Sequence, residues 1–277
     1  MAAGCYFFVR AAELLASARA PSAVSPYALA ILAVEALGAS SVFLYGLCIV
    51  RRLPGAEWGA AGAVPAGSHV HVLVPCYTED LAIVADTVWA AAEADLPPGT
   101  RSTVYLLDDG NDDAKRAWVA GLKSDRVRYV AHRPKAAGGE ANGKACNLNH
   151  ALAVIFGEDG SGAGPHDSVA VFDADQVAAR SFFVKTLPAL AASPDTALVL
   201  TPQKFANVDD AADIFNHSNR HFWEAMIPGL TAWGMVVCTG TNLLLRADAL
   251  MGVGGFPTST VTEDYLLGMN LKMAGLR

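Results

Sequence analysis

The sequence predicts an α/β protein with a doubly wound, mostly parallel sheet that carries helices on both faces. From His69 onward, short apolar runs of strand length alternate with longer segments whose apolar residues recur at helical spacing. The segments between consecutive strands are long enough to hold a crossover helix, which parallel strands require. One further apolar segment near the N-terminus predicts a transmembrane helix ahead of the sheet.

The composition favours a membrane-attached protein and argues against some partners. The 277 residues are 53% hydrophobic and 17% charged, with a mean hydropathy of +0.31, which is more apolar than an ordinary soluble domain. A net charge of -7 argues against nucleic acid, because phosphate backbones bind clustered Lys and Arg. The five cysteines form no C-x-x-C pair, so we expect small buried residues in a reducing compartment rather than a zinc site or a disulfide framework.

Residues 27–50 have the length of one membrane-spanning helix, with Arg51 and Arg52 directly after them. A buried core helix and an uncleaved signal sequence are the alternatives, and the long preceding stretch weakens the second. Glu35 interrupts the segment, although an intramembrane carboxylate can face a partner helix or reach the surface. The predicted division is an N-terminal segment (1–26), the transmembrane helix (27–50), a Gly-, Ala- and Pro-rich linker (51–68) and the sheet domain (69–277).

The first three strands are predicted at residues 69–75, 103–107 and 127–130, each an apolar run of strand length. Residues 81–95 carry apolar side chains at helical spacing, and a second helix carries Trp118 and Leu122. Asp112 or Asp113 can cap this second helix through its carboxylate. These alternations predict parallel strands joined by crossover helices.

The central strand is predicted at residues 168–172, after a helix at 144–156 and a Gly-rich surface loop at 157–167. A helix near residues 181–192, a strand at 197–201 and a mixed segment at 205–233 follow. Thr262 is the expected N-cap of a last helix, whose first turn holds Glu263 and Asp264.

Polar side chains follow three predicted strands at the points where the strands end. They are Tyr77, Glu79, Asp108, Asp109, Asp173 and Asp175. The carboxyl ends of parallel strands face one crevice, where ligands of doubly wound sheets bind. Each group alone is compatible with a plain turn or a helix cap, and three at equivalent positions favour a site.

Asp173 and Asp175 project to the same side if the chain there is extended. Two neighbouring carboxylates repel, and a divalent cation relieves that repulsion, for which oxygen ligands favour Mg or Mn over zinc. A solvated turn is the alternative for this short pattern.

Residues 142–149 open a helix after a loop, so backbone amides and Lys144 can meet an anion there. A solvated helix start is the alternative. No G-x-G-x-x-G follows the first strand and no G-x-x-x-x-G-K-[ST] occurs, which excludes those two phosphate-binding loops.

The ordered set of motifs resembles the processive inverting glycosyltransferases of family 2, in particular the cellulose synthase catalytic subunit and its relatives. The resemblance covers residues 69–277, and it implies a GT-A fold with a nucleotide-sugar site that faces the cytosol. The matching segments are Tyr77-Thr78-Glu79, Asp108-Asp109-Gly110, Lys144-Ala145-Cys146-Asn147-Leu148-Asn149, Asp173-Ala174-Asp175, Thr201-Pro202-Gln203, Cys238-Thr239-Gly240-Thr241-Asn242 and Thr262-Glu263-Asp264.

The resemblance implies a role for each matching position. The uridine and ribose of a UDP-sugar would contact Tyr77, Glu79, Asp108 and Asp109, with Lys144 beside the nucleotide or donor sugar. Asp173 and Asp175 would bind the Mg or Mn ion that holds the diphosphate. Asp264 would be the general base, and the acceptor side would be formed by Gly240, Thr241 and Glu263. The implied partners are a glycan acceptor, a membrane and a synthase complex.

Departures from the family pattern leave alternatives open. Cys146 stands where the family has glycine, and residues 238–242 differ from the family's Cys-Gly-Ser form. The sequence stops at Arg277, before any Q-x-x-R-W motif, from which we expect a truncated product or an incomplete gene model. The alternatives are a non-catalytic membrane paralogue that binds nucleotide-sugar and a non-processive transferase acting on a lipid or short glycan.

Overall fold

The computed structural model describes residues 62–131, 143–206 and 221–277, the helix at 26–51, and residues 6, 9–13 and 16 before it. The chain divides into two compact units, one of Met1–Leu53 with Asn219–Trp233 and the other of Pro54–Ser218 with Gly234–Arg277. The second unit, which we call the sheet unit, contains every predicted site residue. Most of the predicted N-terminal segment (1–26) and linker (51–68) lies outside the described residues, so the domain boundaries remain predictions.

The described elements match the predicted alternation. In chain order the helices are α1 (Pro26–Arg51), α2 (Leu81–Ala92), α3 (Asp113–Gly121), α4 (Gly143–Phe156), α5 (Phe182–Leu190), α6 (Ile227–Ala232), α7 (Ala247–Gly252) and α8 (Glu263–Met273). The strands are β1 (His69–Cys76), β2 (Arg101–Asp108), β3 (Val127–Ala131), β4 (Asp167–Val171), β5 (Leu198–Leu200) and β6 (Leu243–Arg246). The sequence patterns did not predict β6 and α7, and the predicted mixed segment contains a π-helical turn (Phe222–Met226) and α6.

The first unit is built on α1, whose residues Pro26–Cys48 are long and apolar enough to cross a membrane, with a mean hydropathy of 1.8. No residue of its 18-residue apolar window is buried, which argues against a core helix, whereas a signal sequence passes the same test. Glu35 accepts a hydrogen bond of 3.2 Å from the Tyr6 hydroxyl, and Arg10 Nε lies 3.8 Å from its other oxygen. Tyr6 and Arg10, which precede α1, therefore partly compensate the negative charge of Glu35.

The six-stranded sheet of the second unit has the order β3-β2-β1-β4-β6-β5. β1 pairs in parallel with β2 and β4, and β2 pairs in parallel with β3. β6 runs antiparallel to both of its neighbours, β4 and β5. The predicted mostly parallel sheet is confirmed, with β6 as its reversed strand. Because β6 is reversed, the segment before Leu243 enters the sheet at the edge where the parallel strands end.

Helices cover both faces of this sheet, as predicted. On one face, Val70, Val72 and Val74 of β1 pack in the same buried cluster as residues of α2 and α5. On the other face, Leu73 and Val171 pack with residues of α4, α7 and α8. The period of two along β1 places alternate side chains on opposite faces. Both faces are buried, so the strands present functional groups only at their ends.

Candidate active site

The turn after β1 places Tyr77 and Glu79 at the carboxyl edge of the sheet. The backbone N–H of Tyr77 donates a hydrogen bond of 2.6 Å to Glu79 Oε2. Tyr77 is 54% exposed, and Glu79 is half-buried. An exposed aromatic ring at this edge can stack on a planar base.

Asp108 ends β2 as a fully buried carboxylate that organises the loop after it. Its Oδ1 accepts a hydrogen bond from the Gly110 N–H (3.0 Å), and its Oδ2 accepts from the Asp112 N–H (2.7 Å) and the Tyr129 hydroxyl (2.7 Å). Asp112 in turn caps α3 by accepting from the Ala114 N–H at 2.7 Å, as predicted. Both oxygens of Asp108 thus accept hydrogen bonds from other groups of the protein.

Asp109 is the more accessible residue of the predicted pair. It is half-buried, and its backbone N–H donates to the Cys76 carbonyl at 2.9 Å. A side chain at Gly143, the first residue of α4, would lie 3.8 Å from Asp109 Oδ2. The Asp109 carboxylate therefore lies beside the start of α4, close to Lys144.

Two residues of this corner were not identified from the sequence. Lys115 of α3 is 1% exposed, and its Nζ donates to the Tyr77 carbonyl at 3.3 Å and lies 4.0 Å from Asp108 Oδ1. Burial, then its bond to Asp108, raises the pKa of Tyr129 to about 12, so this phenol stays protonated as a donor. The i,i+3 spacing of Asp112 and Lys115 is a signal that points to Lys115.

Lys144, at the start of α4, connects three segments of the site. Its Nζ donates to Asp173 Oδ1 at 2.5 Å and to the Gly240 carbonyl at 3.1 Å. The side chains of Lys144 and Asp173 are 30% and 38% exposed, so a ligand can reach both. Asn142, which precedes the helix, lies outside the described residues.

The two asparagines of the same motif hold α4 in place rather than facing the site. Asn147 Nδ2 donates to the Leu107 carbonyl at 3.1 Å. Asn149 exchanges two hydrogen bonds with the backbone of Phe256, at 2.7 and 2.8 Å. These bonds fix α4 against β2 and the chain before α8.

The chain turns at Asp173 and Asp175, where an extended conformation was expected. The Asp173 N–H donates to Thr241 Oγ1 at 2.9 Å, and the Gln176 N–H closes a turn on the Asp173 carbonyl at 3.0 Å. Asp175 is exposed and accepts from Gln176 Nε2 at 3.2 Å. The pairing of β4 with β6 ends at Val171. No backbone hydrogen bonds of that pairing therefore keep the residues after Val171 extended.

The chemistry of this donor set fits a hard divalent cation. Mg²⁺ binds proteins through one or two carboxylates and fills its other positions with water and phosphate oxygens. Asp173 and Asp175 supply such oxygens at an accessible edge, and Lys144 compensates the charge of Asp173.

Gly240 lies between Lys144 and Asp264. It adopts φ +73°, and a Cβ built on it would lie 3.3 Å from Asp264 Oδ2 and 3.5 Å from Lys144 Nζ. Glycine suits both the left-handed backbone and the close approach. The next residue, Thr241, is 3% exposed and holds the backbone of Asp173. The loop before β6 therefore brings the base candidate and the lysine to one place.

Asp264 lies in the first turn of α8, as predicted. It is half-buried, and its Oδ1 accepts from the Tyr265 N–H at 2.6 Å. Glu263 is 7% exposed, and Thr262 precedes the helix without making a side-chain cap bond. The other Asp264 oxygen is the one that approaches Gly240.

Two of the described cysteines, Cys76 and Cys238, are poorly suited to act as nucleophiles. Cys48, Cys76 and Cys238 are buried, and Cys146 is half-buried, with no disulfide among these four. Burial raises the pKa of Cys76 and of Cys238 to about 12, so both stay thiols at neutral pH. The expectation of small buried residues is confirmed for the three buried cysteines.

Residues 65–277 match the family model described as Glycosyltransferase like family 2. The chain belongs to this glycosyltransferase family. The match covers the whole sheet and every predicted site residue. The predicted family is thereby confirmed, and the individual residue roles stay predictions.

Two relatives of this family 2 chain show how much of a longer protein it matches. A putative cellulose synthase 2 of Komagataeibacter xylinus is 32% identical over 215 residues, which cover 74% of this chain and 13% of that protein. A UDP-forming cellulose synthase catalytic subunit of Xanthomonas axonopodis pv. citri (strain 306) is 32% identical over 215 residues, covering 75% of this chain and 27% of that protein. The chain thus spans only a minor part of the length of these relatives.

A solved structure shows the same fold. A mannosyltransferase from Pyrobaculum calidifontis in complex with GDP-Man and Mn²⁺ superposes with a TM-score of 0.61 at 20% identity, over 87% of this chain and 61% of that one. The predicted GT-A fold of this family 2 chain is thereby confirmed.

Proposed function

We propose that this chain is the catalytic part of a membrane-anchored, metal-dependent inverting glycosyltransferase that transfers a sugar from a UDP-sugar to a glycan acceptor. The observation that carries the proposal is the convergence of Lys144, Asp173, Gly240 and Asp264 at the carboxyl edge of the sheet. The name of the UDP-forming relative supports uridine diphosphate as the nucleotide, and the cellulose synthase relatives support a β-glucan product.

The donor binds along the ends of β1, β2 and α4. Tyr77 stacks on the base, while Glu79 and Asp109 accept hydrogen bonds from the uridine, and the buried Asp108 keeps their loop in shape. Lys144 already contacts a carboxylate at the edge of the sheet, and a diphosphate would offer the same ammonium group a second anionic partner. This arrangement orients the donor with its sugar toward Gly240.

Asp173 and Asp175 would hold Mg²⁺ or Mn²⁺ against the diphosphate. When bound, such an ion neutralises the negative charge that develops on the departing UDP. Lys144 contributes a positive charge to the same oxygens.

The transfer is a single displacement at the anomeric carbon. Asp264 takes the proton of an acceptor hydroxyl while that oxygen forms a bond to the anomeric carbon and the bond to the UDP oxygen breaks. Gly240, Thr241 and Glu263 shape the acceptor side around this carboxylate. The protonated Asp264 then releases its proton to solvent, and the product has the inverted configuration.

α1 anchors the protein in a membrane, and the sheet unit faces the cytosol. The exposed apolar window of α1 supports the anchor. The predicted association with a synthase complex belongs to the same proposal.

The experiment compares two substitutions in the full-length chain, purified in detergent. Asp173→Ala should abolish metal-dependent UDP binding in calorimetry, because it removes a ligand of the diphosphate-bound ion. Asp264→Asn should keep UDP binding and lower sugar transfer about 10²–10⁴-fold, because only the proton acceptor is lost. Asp125→Asn is the matched control, since Asp125 is exposed in the turn before β3, at the opposite edge of the parallel strands.

Three results would contradict the proposal. The first is an unsubstituted chain that does not bind UDP in the presence of Mg²⁺ or Mn²⁺. The second is an equal loss of binding in both variants, which would deny them separate roles. The third is UDP binding without any donor hydrolysis or transfer, which would favour a non-catalytic nucleotide-sugar-binding protein.

A further inference from the structure

Two histidines and an aspartate meet at the edge of the sheet opposite the candidate active site. His69 and His71 lie at the amino end of β1, and Asp167 is the first residue of β4, directly beside His69 in the parallel register. One nitrogen of each imidazole and one Asp167 oxygen lie within 4.8 Å of one another. Within the part of the chain that the structure describes, it is the one group of three His, Cys, Asp or Glu side chains whose possible ligand atoms lie this close together.

His71 presents a buried ring nitrogen that no hydrogen bond satisfies. The residue is 5% exposed and packs edge-on against Phe156. Its Nδ1 is bonded to the Tyr105 hydroxyl at 3.3 Å, whereas its Nε2 has no hydrogen-bond partner. Nε2 lies 3.6 Å from Asp167 Oδ1, beyond hydrogen-bond distance. A buried polar nitrogen left in this way is costly unless another group binds it.

We propose that His69, His71 and Asp167 bind a transition-metal ion of the zinc class. The distance from His71 Nε2 to Asp167 Oδ1 is close to the edge of a tetrahedral zinc site, about 3.3 Å for ligand bonds of about 2.0–2.1 Å. Two imidazoles and one carboxylate are a recognised zinc ligand set, with a water molecule in the fourth position. Imidazole nitrogens favour zinc over the Mg²⁺ or Mn²⁺ assigned to Asp173 and Asp175.

Hydrogen bonds from neighbouring groups hold all three side chains in place. The Thr103 hydroxyl is bonded to His69 Nε2 at 2.9 Å, and the Tyr105 hydroxyl holds His71. The Gly164 N–H donates to the second oxygen of Asp167 at 2.7 Å. Protein-bound metals commonly have histidine ligands whose other ring nitrogen is held in this manner. Burial lowers the pKa of both imidazoles, which favours the neutral ring that a metal ion binds.

The ion would act as a structural clamp. It would join β1 to β4 and to the Gly-rich loop that ends at Asp167. The two ends of β1 are seven residues apart, about 23 Å at ~3.3 Å per residue, so this ion would not touch the donor. The inference is therefore independent of the proposed glycosyl transfer.

The test titrates Co²⁺, a coloured substitute for zinc, into the metal-free full-length chain in detergent. We expect one Co²⁺ per chain with the intense visible absorption of tetrahedral nitrogen and oxygen coordination, displaced by Zn²⁺. His69→Gln and Asp167→Asn should lose this absorption. His166→Gln is the matched control, because His166 is exposed and adjacent to Asp167 but outside the cluster. The double variant Asp173→Asn/Asp175→Asn should keep the absorption.

Thermal unfolding is a second measurement, and it requires only the unsubstituted chain. Zn²⁺ should raise the unfolding temperature of the unsubstituted chain and leave its UDP affinity unchanged. Absence of stoichiometric Co²⁺ absorption in the unsubstituted chain would overturn the inference. It would equally fail if the signal disappeared in the Asp173→Asn/Asp175→Asn variant and persisted in His69→Gln, which would assign the ion to the donor site.

Discussion

At the scale of single residues, Lys144 is the cation that contacts Asp173 in the candidate site. Its ammonium group is bonded to Asp173 and to the Gly240 carbonyl, and both side chains of the ion pair are partly exposed. Such pairs are weak and exchangeable, because water competes for both partners. A divalent cation bound at Asp173, as proposed, would compete with Lys144 for the same oxygen. We infer that cation entry transfers Lys144 from Asp173 to the donor diphosphate.

Gly240→Ala should damage transfer more than it damages the fold. The added Cβ would meet Asp264 Oδ2 at 3.3 Å, while the left-handed backbone adds strain of about 1–2 kcal/mol. A displacement of the base by a fraction of an ångström should lower transfer about 10- to 100-fold. Steady-state kinetics and urea unfolding of the full chain measure the two effects.

Gly254→Ala is the control for backbone strain alone. Gly254 has φ +89° with open space around its Cβ position, so its substitution should cost similar stability and leave transfer unchanged. Equal transfer rates in the two variants would show that Gly240 does not separate Asp264 from Lys144.

At the scale of elements, the patterns with a clear period were predictable and the reversed strand was not. β1 alternates between two buried faces, and the Asp-Gly turn after β2 marks the end of a strand. β6 consists of three fully buried leucines followed by Arg246, and a short apolar run does not distinguish a strand from a buried helix. Its assignment depends on pairing with β4 and β5, which lie far away in the sequence.

The candidate site was likewise predictable where its residues belong to sequence motifs and not where they depend on distant partners. Asp173 and Asp264 were identified by their places in ordered motifs. The burial of Asp108 was not, because it depends on the Tyr129 hydroxyl and on Lys115, which the fold brings from β3 and α3. Local sequence carries no record of such distant partners.

Leu244→Ala should destabilise the sheet unit by about 2–5 kcal/mol, because Leu244 is fully buried at the centre of β6 and its truncation leaves a cavity. Urea unfolding followed by tryptophan fluorescence measures the change. Val177→Ala is the control, since Val177 is 68% exposed and should cost less than about 0.5 kcal/mol. Similar losses in both variants would contradict a central position for β6.

At the scale of the whole molecule, the exposed apolar surface of α1 fits the proposed membrane anchor. Val34 and Leu37, one helical turn apart, are 70% and 69% exposed in the structure, which is unusual for neighbouring large apolar residues in water. In the proposed anchor, a lipid bilayer would cover this surface. The same surface accounts for part of the apolar composition of the chain.

The double substitution Val34→Asp/Leu37→Asp should release the protein from membranes. Each aspartate at the centre of a spanning helix costs about 2.5–3.5 kcal/mol of insertion free energy. The measurement is the fraction of full-length chain that resists alkaline carbonate extraction. Val154→Asp, at a 57% exposed position of α4, should leave that fraction unchanged. Retention of the double variant would argue against a spanning α1.

The reversed strand also affects how the chain folds during synthesis. β6 is the last strand of the described sheet to leave the ribosome, yet it lies between β4 and β5. Until residues 243–246 emerge, β4 has an open apolar edge and β5 has no neighbour in the described sheet. Open strand edges pair readily with other chains. A nascent chain that ends before β6 would therefore expose the edge of β4 to pairing with other chains, and synthesis of β6 covers that edge.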